Sequence, residues 1–70
     1  MSLQAGAGGL EEARKVLLAR WRQVREGWDD EVARRFGDDV IEPLLQDLGR
    51  AAEAMTAAAT EEAQARRDCG

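Results

Sequence analysis

Residues 24–36 read Val-Arg-Glu-Gly-Trp-Asp-Asp-Glu-Val-Ala-Arg-Arg-Phe, and this stretch decides the fold. Gly27 is the residue type that accepts the left-handed backbone just past a helix end, so a first helix is expected to close there. Asp29 is placed to cap the free amides of a second helix, with Asp30 and Glu31 at its positive end and Trp28 folding back over Ala33 as a hydrophobic staple. Gly27, Trp28, Asp29 and Asp30 therefore read as a turn between two helices.

Toward the N-terminus, Leu10, Ala13, Leu17, Trp21, Val24 and Trp28 recur at steps of three and four, one stripe of a helix with 3.6 residues per turn. The spacing predicts a helix over about residues 10–26, with Glu11/Lys15 and Arg22/Glu26 as pairs four apart on its exposed side. Residues 1–9 hold three glycines and no charge, a composition that predicts a flexible arm.

Toward the C-terminus the stripe resumes at Val32/Ala33, Phe36, Val40, Leu44, Leu48, Ala51/Ala52 and Met55, with Ile41 and Leu45 broadening it. A second helix is predicted over about residues 29–67, with a short tail at 68–70. Pro43 deletes a backbone hydrogen bond and crowds the preceding turn, so a kink or break is expected there. Between Ala51 and Ala65, 8 of 15 residues are alanine, which favours helix but offers little apolar bulk.

These elements specify an all-α fold, an antiparallel helical hairpin with a long second helix kinked near Pro43. At 1.5 Å per residue the first helix covers about 26 Å and the second about 58 Å, so roughly half of the second is left uncovered. The expectation is that a second copy covers it, giving a homodimer that resembles a four-helix bundle. Leu10, Leu17, Trp21, Val24, Trp28, Phe36, Val40, Leu44, Leu48 and Met55 are the residues expected to form core and interface. A fold-back at Pro43 into a third helix is the competing arrangement.

Composition excludes several functions. The chain has 70 residues, no His and one Cys, so His-based catalysis, a metal cluster and an internal disulfide framework lack their residues. The net charge of −4 argues against a nucleic-acid binder that neutralises phosphates. Charge is unevenly spread: Arg14, Lys15, Arg20, Arg22 and Arg25 have no acid among them, whereas Asp38, Asp39, Glu42 and Asp47 have no base among them. The hairpin would set the basic stretch opposite Asp30, Glu31, Asp38 and Asp39. No apolar run reaches the 18 or so residues of a membrane span, and no cleavable signal is recognisable. The expected location is the cytoplasm, or outside the cell by a route that needs no cleavable signal.

Around the turn the chain resembles the WXG family of early-secreted-antigen-like proteins of type VII secretion. Trp28, with Ala33 five positions on and Phe36 eight positions on, matches that family's pattern of turn tryptophan, small residue and aromatic. The resemblance implies a helical hairpin that dimerises into a four-helix bundle, and a secreted or secretion-linked role. Asp30 stands where the family has glycine, and Arg66-Arg67-Asp68-Cys69-Gly70 lacks its Tyr-x-x-x-Asp/Glu signal.

Few residues invite chemistry. Trp21 and Trp28 lie seven apart on one face, as a partner platform or simply as the largest parts of a thin core. Asp29-Asp30 and Asp38-Asp39 could suggest a divalent cation, but the calcium loop D-x-D-x-D-G is absent, and capping and charge pairing explain these acids. Cys69 is a lone thiol that could link two chains. No catalytic, cofactor-binding or metal-binding residue is assigned. The function expected is protein–protein association, as a homodimer or with a helical partner; the alternative is an intracellular coiled-coil adaptor or the small subunit of a larger complex.

Overall fold

The computed structural model describes residues 2–69. Met1 of the expected arm and Gly70 of the expected tail lie outside them. Among the described residues there is no strand: α1 (Leu3–Gly27) is followed by α2 (Glu31–Phe36), a π-helical turn (Gly37–Ile41) and α3 (Glu42–Cys69). Phe36, Gly37 and Glu42 all keep right-handed helical backbone angles, so the last three segments run on as one rod. α1 packs against α3 to make an antiparallel hairpin measuring 58 × 17 × 12 Å.

The N-terminal segment departs from expectation. Helix begins at Leu3, where the Ser2 hydroxyl accepts the Ala5 amide at 3.1 Å as an N-cap. Glycine disfavours helix by about 1 kcal/mol per residue, yet here its lack of a side chain is what packing uses. A Cβ on Gly6 would sit 2.5 Å from the Met55 Cε, so only glycine lets α1 approach α3 this closely without moving Met55. Ala7 and Ala52 are buried in the same seam.

This extension changes the length argument. At 1.5 Å per residue the 25 residues of α1 span about 37 Å. Leu3 borders a cleft formed with Ala59, Glu62 and Ala63, so α1 covers the second rod almost to residue 62. Ala52 is 2% exposed within a single chain, and the uncovered half expected from a helix starting at residue 10 does not exist.

The turn also differs in detail. No described glycine has a positive φ; α1 is instead ended by Trp28, whose backbone is extended (φ −142°, ψ 101°). The Arg25 guanidinium donates from Nε to the Trp28 carbonyl (3.2 Å) and from Nη2 to Asp29 (2.6 Å), tying off the helix end. The N-cap of the second rod is Asp30 rather than Asp29, its carboxylate accepting the Ala33 amide at 2.9 Å.

At Pro43 the helix does not break. The Glu42 amide donates to the Gly37 carbonyl, five residues back rather than four, a π-type bond that widens the backbone just before the proline. A proline ring crowds the carbonyl four residues before it, here that of Asp39, and the wider turn gives that carbonyl room.

The widened turn also sets which residues face α1. Residues four apart drift by about 40° per step around an α-helix of 3.6 residues per turn. A π turn holds more residues per turn and takes part of that drift back. Ala33 (0% exposed), Ile41 (7%) and Leu45 (5%) are therefore buried in line with Gly37, which meets Trp21 of α1. From Leu45 the contacts pass to Leu48, Ala52 and Met55 at steps of three, four and three.

Candidate interaction face

The hairpin is closed at the turn by three aromatic rings. Trp21 and Trp28 meet edge to face with centroids 6.3 Å apart, and Phe36 lies 5.6 Å from Trp21 and 6.4 Å from Trp28. The Arg25 guanidinium sits 5.8 Å from the Trp21 ring. Gly37 makes this possible: a Cβ there would be 3.1 Å from Trp21 Cζ2. Trp28 thus docks on Trp21 and Phe36, and Ala33 is fully buried.

Of the residues expected to form core and interface, Leu10, Leu17, Trp21, Trp28, Leu48 and Met55 are half-buried within one chain. Val24, Phe36, Val40 and Leu44 remain exposed, between 41% and 48%. Ile41 and Leu45, expected only to broaden the stripe, are the large side chains buried in the seam. Val24, Phe36, Val40 and Leu44, with Val16 and Val32, are the exposed large apolar side chains among the described residues, and every one of them lies in the half nearest the turn. Val32, Phe36 and Val40 line a shallow depression whose charged walls are Arg35 and Asp39.

Two lines spaced by four compete in the sequence: Val32, Phe36, Val40, Leu44 and, one residue later, Ala33, Gly37, Ile41, Leu45. Bulk favours the first for burial. The structure buries the second, because Trp21 occupies the space that a large side chain at position 37 would need. The signal available in the sequence was this small-residue line facing a tryptophan.

Charge pairing is local. The ion pairs are Arg25–Asp29, Arg34–Asp29, Arg34–Glu31, Arg50–Asp47 and Arg66–Glu62, all among neighbours in sequence or at the turn. Among the described residues none joins the basic stretch of α1 to Asp30, Glu31, Asp38 or Asp39, contrary to expectation. The seam contact made by that stretch is Arg14, whose Nε donates to the Leu45 carbonyl at 3.3 Å, beside Gly49.

The Ala33 amide donating to Asp30 lowers its carboxyl below the ordinary value, against an upward push from desolvation; the Trp28 side chain, the Val32 amide and the Arg34 charge also lower it. Asp29 is in ion pairs and Asp38 and Asp39 are exposed. Among the described residues no cluster of three or more His, Cys, Asp or Glu could hold a metal ion. Cys69 is exposed at the end of α3, and no described helix is long and apolar enough to cross a membrane. No family model, curated protein or solved structure matches the chain.

Proposed function

We propose that this chain is a non-catalytic association module that pairs with a second copy, giving a four-helix-bundle-like dimer. The observation that supports this is the exposed apolar group Val16, Val24, Val32, Phe36, Val40 and Leu44. Large apolar patches on a small soluble chain mark contact sites, and here they persist although the hairpin's own seam is filled. A bend of the second rod at Pro43, where the π turn has already widened the backbone, is part of this reading because it curves the rod around a partner.

Within this reading the chain is a secreted or secretion-linked protein of WXG type. The favouring feature is that Trp28, Ala33 and Phe36 meet at the root of the second rod. The other reading, a cytoplasmic coiled-coil adaptor or small subunit, is favoured by Thr60–Arg67, exposed throughout, where a different helix could add.

Sedimentation equilibrium with and without reductant tests the association. A mass of about twice the 7.7 kDa chain under both conditions supports it. A doubled mass only without reductant assigns pairing to Cys69, and 7.7 kDa throughout the micromolar range overturns it.

A further inference from the structure

Resting on the self-association proposed above, we infer that the two copies lie side by side with their turns at the same end. In this arrangement α1 of each covers the second rod of the other, and Arg20 of each pairs with the partner's Asp39.

The contact face follows from phase. Val32, Phe36, Val40 and Leu44 each precede by one residue a member of the buried line Ala33, Gly37, Ile41 and Leu45. On α1, Arg20 precedes Trp21 and Val24 precedes Arg25, both turned toward the seam. In an antiparallel hairpin, residues displaced from the seam in the same rotational sense emerge on the same face. The four apolar residues of the rod and the line Arg20–Val24 of α1 therefore share one face. Val16 lies further round on the line that those two continue.

Levels along the hairpin are fixed by observed contacts. Trp21 touches Gly37 and Arg14 bonds Leu45, so α1 position i lies beside about position 58 − i of the rod. A two-fold axis parallel to the long dimension preserves these levels while exchanging the helices. Val24 then comes between the partner's Val32 and the partner's Phe36. Val16 comes between the partner's Val40 and the partner's Leu44, and Arg20 reaches the partner's Asp39.

Charge selects this arrangement over the reversed one. If the turns pointed in opposite directions, α1 would cover the other α1 and rod would cover rod. With the apolar residues of the two copies superposed, that sets Arg20 against Arg20, Lys15 against Arg25 and Asp38 against Asp38. With the turns together, basic helix meets acidic rod, and neither Arg20 nor Asp39 has an ion pair within the described chain. Area allows it as well: a face of 58 by 17 Å offers about 1,000 Å² per copy, above the roughly 800 Å² of a standard interface.

The test is a charge exchange read by sedimentation velocity, with helicity checked by circular dichroism. Arg20→Glu faces the partner's Asp39, and Asp39→Arg faces the partner's Arg20. Each variant alone is therefore expected to dimerise about tenfold more weakly, since two exposed pairs are reversed. An equimolar mixture restores wild-type affinity, because each contact then joins opposite charges, while repulsions within one chain stay as they were. If the wild type dimerises and both variants dimerise as well as it does, or mixing restores nothing, this arrangement is wrong and the association stands. A wild type that stays at 7.7 kDa removes both. Pyrene placed at Glu31→Cys in a Cys69→Ser chain should give excimer emission on dimerisation; its absence in a dimer overturns the shared-end geometry.

Discussion

Gly37→Ala and Gly9→Ala make the same chemical change at two helical positions and should move stability in opposite directions. Replacing an interior helical glycine with alanine gains about 0.8–1 kcal/mol from propensity alone. Nothing lies within 4 Å of the Cβ that Gly9 would acquire, so that gain should appear in full. At Gly37 the new methyl would come within 3.1 Å of Trp21 Cζ2. Trp21 cannot withdraw freely, because Trp28 and Phe36 pack against it with centroids at 6.3 and 5.6 Å. Overfilling a packed site costs about 1–3 kcal/mol, which outweighs the propensity gain and leaves Gly37→Ala less stable than wild type by about 1 kcal/mol. The two variants should then differ by about 2 kcal/mol, roughly a 10 °C gap in Tm for a domain of this size. Thermal unfolding followed by circular dichroism reads this, at one fixed chain concentration because self-association raises Tm by mass action. If both variants rise together, Trp21 does not lie against residue 37 and the choice of buried line is mistaken.

Trp28→Ala should cost about 2–3 kcal/mol, part of the 3–5 of a fully buried ring, because Trp28 is half-buried; an unchanged urea midpoint would mean the aromatic trio does not close the hairpin. For Asp30 the folded carboxyl titrates below its ordinary value. Its contribution is therefore complete above the unfolded value of about 3.9 and is lost as pH falls through the lower folded value. Asp30→Asn keeps a capping oxygen but does not titrate there. Stability of the wild type should fall more steeply than that of the variant below about pH 4, and parallel acid profiles would rule out the cap as their source.

How far the fold could be read from residues alone depended on where packing overrode local preference. Gly27 to Asp30 announced a reversal between two helices, and a reversal occurs there, although an extended Trp28 rather than a left-handed glycine ends α1. Gly6, Gly8 and Gly9 argued for a loose arm on propensity, and that argument cannot know that Met55 will lie 2.5 Å from where a Gly6 side chain would begin. The same blind spot hid the seam at Gly37. Apolar bulk ranks Phe36 above Gly37, whereas a tryptophan on the facing helix reverses the ranking. The sequence groups Phe36, Val40 and Leu44 with core and interface residues alike, and only the packing separates this exposed line from the seam.

The π turn at Gly37–Ile41 is, in effect, one residue stored in the helix without a loop to hold it. Removing one residue from within it would return the backbone to ordinary α-helical winding, with little local disturbance. The whole of α3 would then keep its phase relative to α2, because the five-residue π turn sweeps about the same angle as four residues of α-helix. Such a deletion would leave Leu45, Ala52 and Met55 against α1, whereas one residue removed from the regular winding of α3 would turn every contact beyond it by about 100°.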